Sequence, residues 1–165
     1  MSTNAAKNRK AGGTGIESRI LREGYGPGAW HGPDLKAACG DVTAGVAFLR
    51  PAAGRHNIAE VALHHAWFVR SVAAQLSGLP PEPFVLAGED WFTLADESTL
   101  PWAKVQSALA SEHARLSRVV DDIEAGTLES PLPADERVNV VLGITSHAIY
   151  HAGQIQLIKR LVAAA

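Results

Sequence analysis

Residues 102–126 read WAKVQSALASEHARLSRVVDDIEAG, and the spacing within them decides the fold. Trp102, Leu109, Leu116 and Ile123 recur every seven residues, with Val105 and Val119 between them. A helix turns once in about 3.6 residues, so these side chains form one stripe that has to be buried against other helices. Gly126 closes the pattern, because glycine readily takes the left-handed backbone that ends many helices. No segment of the chain alternates with period two for long, so strands are not expected.

Three more helical segments lie around this one. Downstream, a helix starts after Pro133, with Asp135 and Glu136 suited to its first turn, and runs to about Val162 past Lys159 and Arg160. Upstream, a helix follows Asn57, a good N-cap, and runs to about Leu76 with Ile58, Val61, Phe68, Val72 and Leu76 inward. The first predicted helix begins near Pro33 and stops before Pro51, carrying Leu35, Ala38, Val42, Val46 and Leu49 on one side. The glycines and prolines between Gly24 and Pro33 punctuate the chain before it. Residues 1–15 have no apolar period and carry Lys7, Arg9 and Lys10, which predicts a disordered tail ahead of a single domain over residues 16–165.

The expected architecture is therefore all-α, a four-helix bundle. The short link between the first two predicted helices makes them antiparallel neighbours. The link from Ser77 to Leu100 is long enough to cross the bundle or cover a site, and a crossover gives up-down-down-up topology. Phe84, Trp91 and Phe92 are its expected anchors, and all four tryptophans, Trp30, Trp67, Trp91 and Trp102, read as packing residues, with Trp91 also placed to line a substrate pocket.

Composition narrows the function. No run approaches the roughly 20 apolar residues of a membrane span, and no charged-then-apolar leader opens the chain, which together predict a soluble, cytoplasmic protein. Cys39 is the single cysteine, so neither a disulfide framework nor a cysteine-built zinc site is available, and it reads as a buried structural thiol. A net charge of −2 gives no reason to expect a nucleic-acid partner.

Chemistry concentrates on histidine. In Ser146-His147-Ala148-Ile149-Tyr150-His151-Ala152-Gly153-Gln154, four residues advance the helix by about 400°, so His147 and His151 share a face about 6 Å apart along the axis. Two imidazoles so placed can converge on a divalent ion, which needs at least one further protein ligand. Seven histidines in 165 residues make such a spacing common by chance, so it carries little alone. The second helix offers His64 and His65, about 100° apart, and spacing leaves open which of them faces the pair. Glu112 lies one repeat from Val105 and Val119 and is a candidate general base, although neighbouring His113 fits the same inward slot. Gln154, three residues past His151, is placed to orient a ligand or a water. His31 and His56 precede helices and read as capping or surface groups.

The sequence resembles the DinB/YfiT-like superfamily of small bacterial four-helix metalloproteins over about residues 29–162. The resemblance is carried by Ala29-Trp30-His31-Gly32-Pro33, by His56-Asn57-Ile58-Ala59-Glu60 running to His64, and by His147-Ala148-Ile149-Tyr150-His151-Ala152-Gly153-Gln154-Ile155. It implies that His64, His147 and His151 ligate a divalent metal, zinc or nickel above others, and that the protein is a homodimer acting on a small molecule. Some relatives transfer or isomerise substrates with a low-molecular-weight thiol such as mycothiol or bacillithiol. Three histidine ligands leave a coordination position open, as in catalytic zinc sites, which fits hydrolysis or thiol transfer with Glu112 and Gln154 as assisting groups. The alternative is a non-catalytic metal-binding or stress-response interaction module.

Overall fold

The structure is a computed structural model and describes residues 15–164. Those residues form six helices and no strand: α1 (Ile16–Gly24), α2 (Leu35–Gly40), α3 (Ala44–Ala47), α4 (Ile58–Ser77), α5 (Trp102–Glu124) and α6 (Ala134–Ala163). The tail expected over residues 1–15 lies outside the described residues, Gly15 apart.

The three long helices form where local chemistry places them. On α5, Trp102, Val105, Leu109 and Leu116 are buried, and Val119 and Ile123 pack against the core. Gly126 follows α5 with φ +71°, and its N–H donates to the Ile123 carbonyl at 3.0 Å. At the start of α4 the Asn57 side chain accepts the Glu60 N–H at 2.9 Å, and the Glu60 carboxylate accepts the Asn57 N–H at 3.4 Å. This reciprocal capping box satisfies two N–H groups that a helix otherwise leaves unpaired.

The first predicted helix is not continuous. It is divided into α2 and α3, with Asp41, Val42 and Thr43 between them. Donors from other elements take the carbonyls where α2 ends. Trp102 Nε1 donates to Val42 O at 2.8 Å, Gln106 Nε2 to Cys39 O at 3.2 Å, and Lys159 Nζ to Ala38 O at 3.5 Å. Carbonyls satisfied from outside need no further helical turn, so α2 can stop at Gly40. Leu49, expected inward, is 47 % exposed as a result. Trp30 is likewise 93 % exposed, which corrects its reading as a packing residue.

Helix α1 forms where no element was expected. Leu21 is its only fully buried large apolar side chain, too little for a periodic signal. Its first turn is capped from α5: Glu124 Oε1 accepts the N–H groups of Glu17 at 2.8 Å and Ser18 at 3.2 Å. Its last residue, Gly24, approaches α6 so closely that a Cβ there would stand 2.8 Å from the Ala148 Cβ.

Two apolar clusters make the core. One joins Ile58–Ala66 of α4 to Trp102, Val105 and Leu109 of α5, and to Ala148, Ala152, Ile155 and Ile158 of α6. The other joins Val69, Ala73 and Leu76 to Leu116, Val120, Val141, Ile144 and Leu21. Of the buried histidines, His113 falls in sequence between the two clusters, while His64, His65 and His151 fall within the stretches of the first. The link from Gly78 to Pro101 is pinned to the start of α4, where Asn57 Nδ2 donates to Leu94 O at 2.6 Å and the Leu94 N–H donates to Glu60 at 2.9 Å. Phe92 is buried and Phe84 packs beside it, as expected of anchors. No helix among the described residues is long and apolar enough to cross a membrane.

Candidate metal centre

α4 and α6 bring His64, His147 and His151 together, with one nitrogen from each inside 4.8 Å of the others. His147 Nε2 and His151 Nε2 are 3.0 Å apart. The four-residue spacing on α6 thus does what helix geometry requires of it, and α4 supplies the third imidazole.

The other nitrogen of each ring is held by a neighbour. His64 Nδ1 donates to the Asp90 carbonyl at 3.0 Å and lies 2.9 Å from Asp90 Oδ1. His151 Nδ1 donates to Gln154 Oε1 at 2.6 Å, and Gln154 Nε2 donates to Tyr150 Oη at 3.0 Å. His147 Nδ1 meets His65 Nδ1 at 2.7 Å. With every Nδ1 engaged, the three Nε2 atoms are the ones free to share an ion, the arrangement that outer-shell partners impose on ligand histidines. Asp90 makes its contact from the left-handed region, φ +59°, a strained backbone for a residue with a Cβ.

Burial sets the protonation of the group. It pushes His147 down to about 4, helped by the neighbouring His151 and His64. Burial likewise takes His151 to about 4 against the opposing Gln154 bond. His64 is lowered by burial despite the Asp90 oxygens. Neutral imidazoles with available lone pairs are the form a divalent ion binds, so the donor set fits zinc or nickel chemistry.

Trp91, from the long link, is stacked between His56 and His64, its ring 3.8 Å from each. It also lines a cavity of about 390 Å³ together with Arg55, His56, Gln154, Leu157 and Leu161. Two of those lining residues, Trp91 and Gln154, therefore touch candidate ligands directly. Arg55 makes no ion pair among the described residues. A larger cavity, about 420 Å³ and lined by Arg70, Arg115 and Arg118, shares no residue with the imidazole group.

Glu112 is not brought to the imidazoles. It is buried, lies 3.5 Å from Arg115, and lines a separate cavity with Pro83, Phe84 and Lys104. Burial raises its pKa while Arg115 opposes the rise. The inward slot belongs to His113, whose Nε2 is 3.0 Å from His65 Nε2 and whose ring stacks on Tyr25 at 3.8 Å. Burial lowers His113 to about 3 and His65 well below its ordinary value. Sequence reasoning left His65 and His113 without roles. The available signal was that His65 follows Ile58 by seven residues and His113 adjoins the apolar stripe of α5. His56 bonds Glu60 at 3.0 Å, His31 bonds the Glu23 carbonyl at 2.8 Å, and Cys39 is buried with its thiol pushed up to about 12 by burial.

A family model described as the DinB superfamily matches residues 29–155, which contain all three converging histidines and His65 and His113 but not α1. No curated protein and no solved structure matches the chain.

Proposed function

Since the chain belongs to the DinB superfamily, we propose that it is a metal-dependent enzyme binding one zinc or nickel ion through Nε2 of His64, His147 and His151. Its reaction is hydrolysis, or transfer of a low-molecular-weight thiol, on a small molecule. The observation that carries this reading is that each of the three rings has its Nδ1 engaged by a neighbour while one nitrogen from each lies within 4.8 Å of the others. When bound, such an ion supplies Lewis acidity, which brings the pKa of a water or thiol down toward neutrality.

The chain's own residues do the rest. Asp90, His65 and Gln154 hold the imidazoles in register, and Trp91 covers the face of His64. The neighbouring cavity offers a substrate the apolar side chains of Leu157 and Leu161 and the guanidinium of Arg55. Gln154 is the polar residue common to cavity and centre, which supports a role in orienting substrate. Glu112 has no contact with the centre, so a part for it as general base gains no support.

The same reading takes α1, α4, α5 and α6 as the rods of an up-down-down-up bundle, α1 standing where the helix expected after Pro33 was placed, with the Gly78–Pro101 link as crossover. Glu17 of α1 lies 3.4 Å from Arg137 near the start of α6, while Gly24 meets Ala148 further along it, which supports parallel α1 and α6. The family resemblance implies a homodimer, and light scattering on the purified chain tests it.

Elemental analysis of tag-free protein tests the centre. About one zinc or nickel per chain is expected, lost in His147→Ala. Unchanged metal content in that variant would discard the assignment. The alternative, a non-catalytic metal-binding or stress-response module, is favoured by one observation: Asp90 and Gln154 each spend an oxygen on a ligand imidazole. Metal-loaded protein inert toward a panel of low-molecular-weight thiols and activated esters would select it.

A further inference from the structure

Counting protons around the buried imidazoles leads past the three ligands. A neutral imidazole has one N–H and one lone pair, and a hydrogen bond between two rings uses one of each. His65 and His113 are buried, and both nitrogens of His65 face other imidazoles rather than a carboxylate, so neither ring has an anion to hold a charge away from water and both are neutral.

Gln154 sets the direction. Its amide nitrogen donates to Tyr150, so Oε1 accepts and His151 carries its proton on Nδ1. His151 Nε2 is then a lone pair, and His147 Nε2, 3.0 Å away, donates to it. That leaves His147 Nδ1 bare, so His65 Nδ1 donates to it across 2.7 Å. His65 Nε2 is bare in turn, and His113 Nε2 donates to it across 3.0 Å. In the metal-free protein the chain therefore runs one way, from His113 to Gln154.

A cation held by His147 Nε2 requires the lone pair there. His147 then carries its proton on Nδ1, His65 must accept on Nδ1 and carry its own on Nε2, and His113 must accept on Nε2. We propose that His65 and His113 are positioning residues for the centre, and that binding of a divalent cation reverses the hydrogen-bond chain His113–His65–His147, switching all three rings to their other neutral tautomer. The protons balance. The one on His65 Nδ1 passes to His147, the one on His113 Nε2 passes to His65, the one on His147 Nε2 leaves to water, and water supplies one to His113 Nδ1. No ring changes charge. The inference rests on the metal-centre reading above.

The test is long-range ¹H–¹⁵N correlation NMR of the full chain labelled at histidine, before and after one equivalent of zinc. Without zinc, His147 and His113 are expected as Nε2–H and His65 as Nδ1–H. With zinc, His147 and His113 are expected as Nδ1–H and His65 as Nε2–H, while His64 and His151 stay Nδ1–H throughout. Zinc shifts at His64 and His151 with His65 and His113 unchanged would overturn the reversal and leave the metal centre standing. Zinc shifts at none of the three ligands would overturn the metal centre and the reversal with it, while the metal-free tautomers still report the direction of the chain.

Variants add a second readout. His113→Leu leaves the reversed chain without its acceptor and is expected to weaken zinc binding about tenfold, the usual effect of losing an outer-shell partner. His113→Gln, whose amide can accept or donate, is expected to stay within about threefold of the parent chain. Equal losses in the two variants would reduce His113 to packing and overturn its positioning role. Should His113→Leu fail to fold, the spectrum of the parent chain decides.

Discussion

Glu60 and His64 stand one turn apart on α4, both buried, in opposite surroundings. Burial alone would raise the Glu60 pKa. Arg50, the Leu94 N–H and His56 more than offset it and hold the carboxyl below its usual range. Arg50 Nη1 at 2.9 Å, His56 Nδ1 at 3.0 Å and the Leu94 N–H at 2.9 Å, with the Asn57 N–H, fill the carboxylate's lone pairs. On the α6 side of the imidazole group, His151 Nε2 meets only another ring, His147 Nε2 at 3.0 Å. A buried polar group with its capacity filled ties the fold together. One whose capacity faces its own kind is available to a ligand.

The sharpest way to break that contrast is to remove one member of each cluster. His147→Ala should lower zinc affinity at least about 100-fold while costing the metal-free protein only about 1 kcal/mol, the effect of leaving the buried His65 N–H without its acceptor. Isothermal titration and urea unfolding read the two quantities separately. Glu60→Gln should do the reverse, costing about 2 kcal/mol of stability by leaving Arg50 and the link under-satisfied, with zinc affinity changed less than about tenfold. If both variants lost metal and stability together, the clusters would be one unit.

Acid separates the two by window. His147 and His151 fold with values of about 4 and His113 with about 3, against 6.5 for the free ring. The unfolded chain therefore binds more protons, and stability is full above pH 6.5 and declines as pH falls toward 4 and then 3. The slope should be about 1 kcal/mol per pH unit for each ring charged only on unfolding. Glu60, lowered from 4.5, adds its own loss only below that value. A flat unfolding free energy between pH 7 and 5 in the metal-free protein would show that the rings are not buried neutral. Asp90→Gly should have the smallest effect, about threefold weaker zinc binding. The carbonyl that accepts from His64 remains, and glycine takes the left-handed backbone without strain.

Local signals carried part of this picture a long way. Asn57 capped α4, Gly126 closed α5, and the seven-residue stripe faced the core, because caps and periods act between residues a few positions apart. The α6 pair was legible for the same reason. The third imidazole was not legible from spacing, and only the family resemblance pointed to His64. His64 and His65 both point into the protein, and only the positions of α6 and α5 send one ring to the trio and the other to His113. Glu112 and His113 divide in the same way, the imidazole inward and the carboxylate beside Arg115.

What the chain determined by itself is its all-helical character, the ends of its long helices and the shared face of His147 and His151, since each depends on neighbours within a turn or two. Tertiary structure alone decided that α1 exists, that the segment after Pro33 breaks at Asp41, and that His65 backs His147. Those outcomes rest on Glu124 capping residues more than 100 positions earlier, on Trp102 reaching Val42, and on a hydrogen bond spanning 82 residues. Partners so distant in sequence leave no periodic trace, because the chain between them can take any path that brings them together.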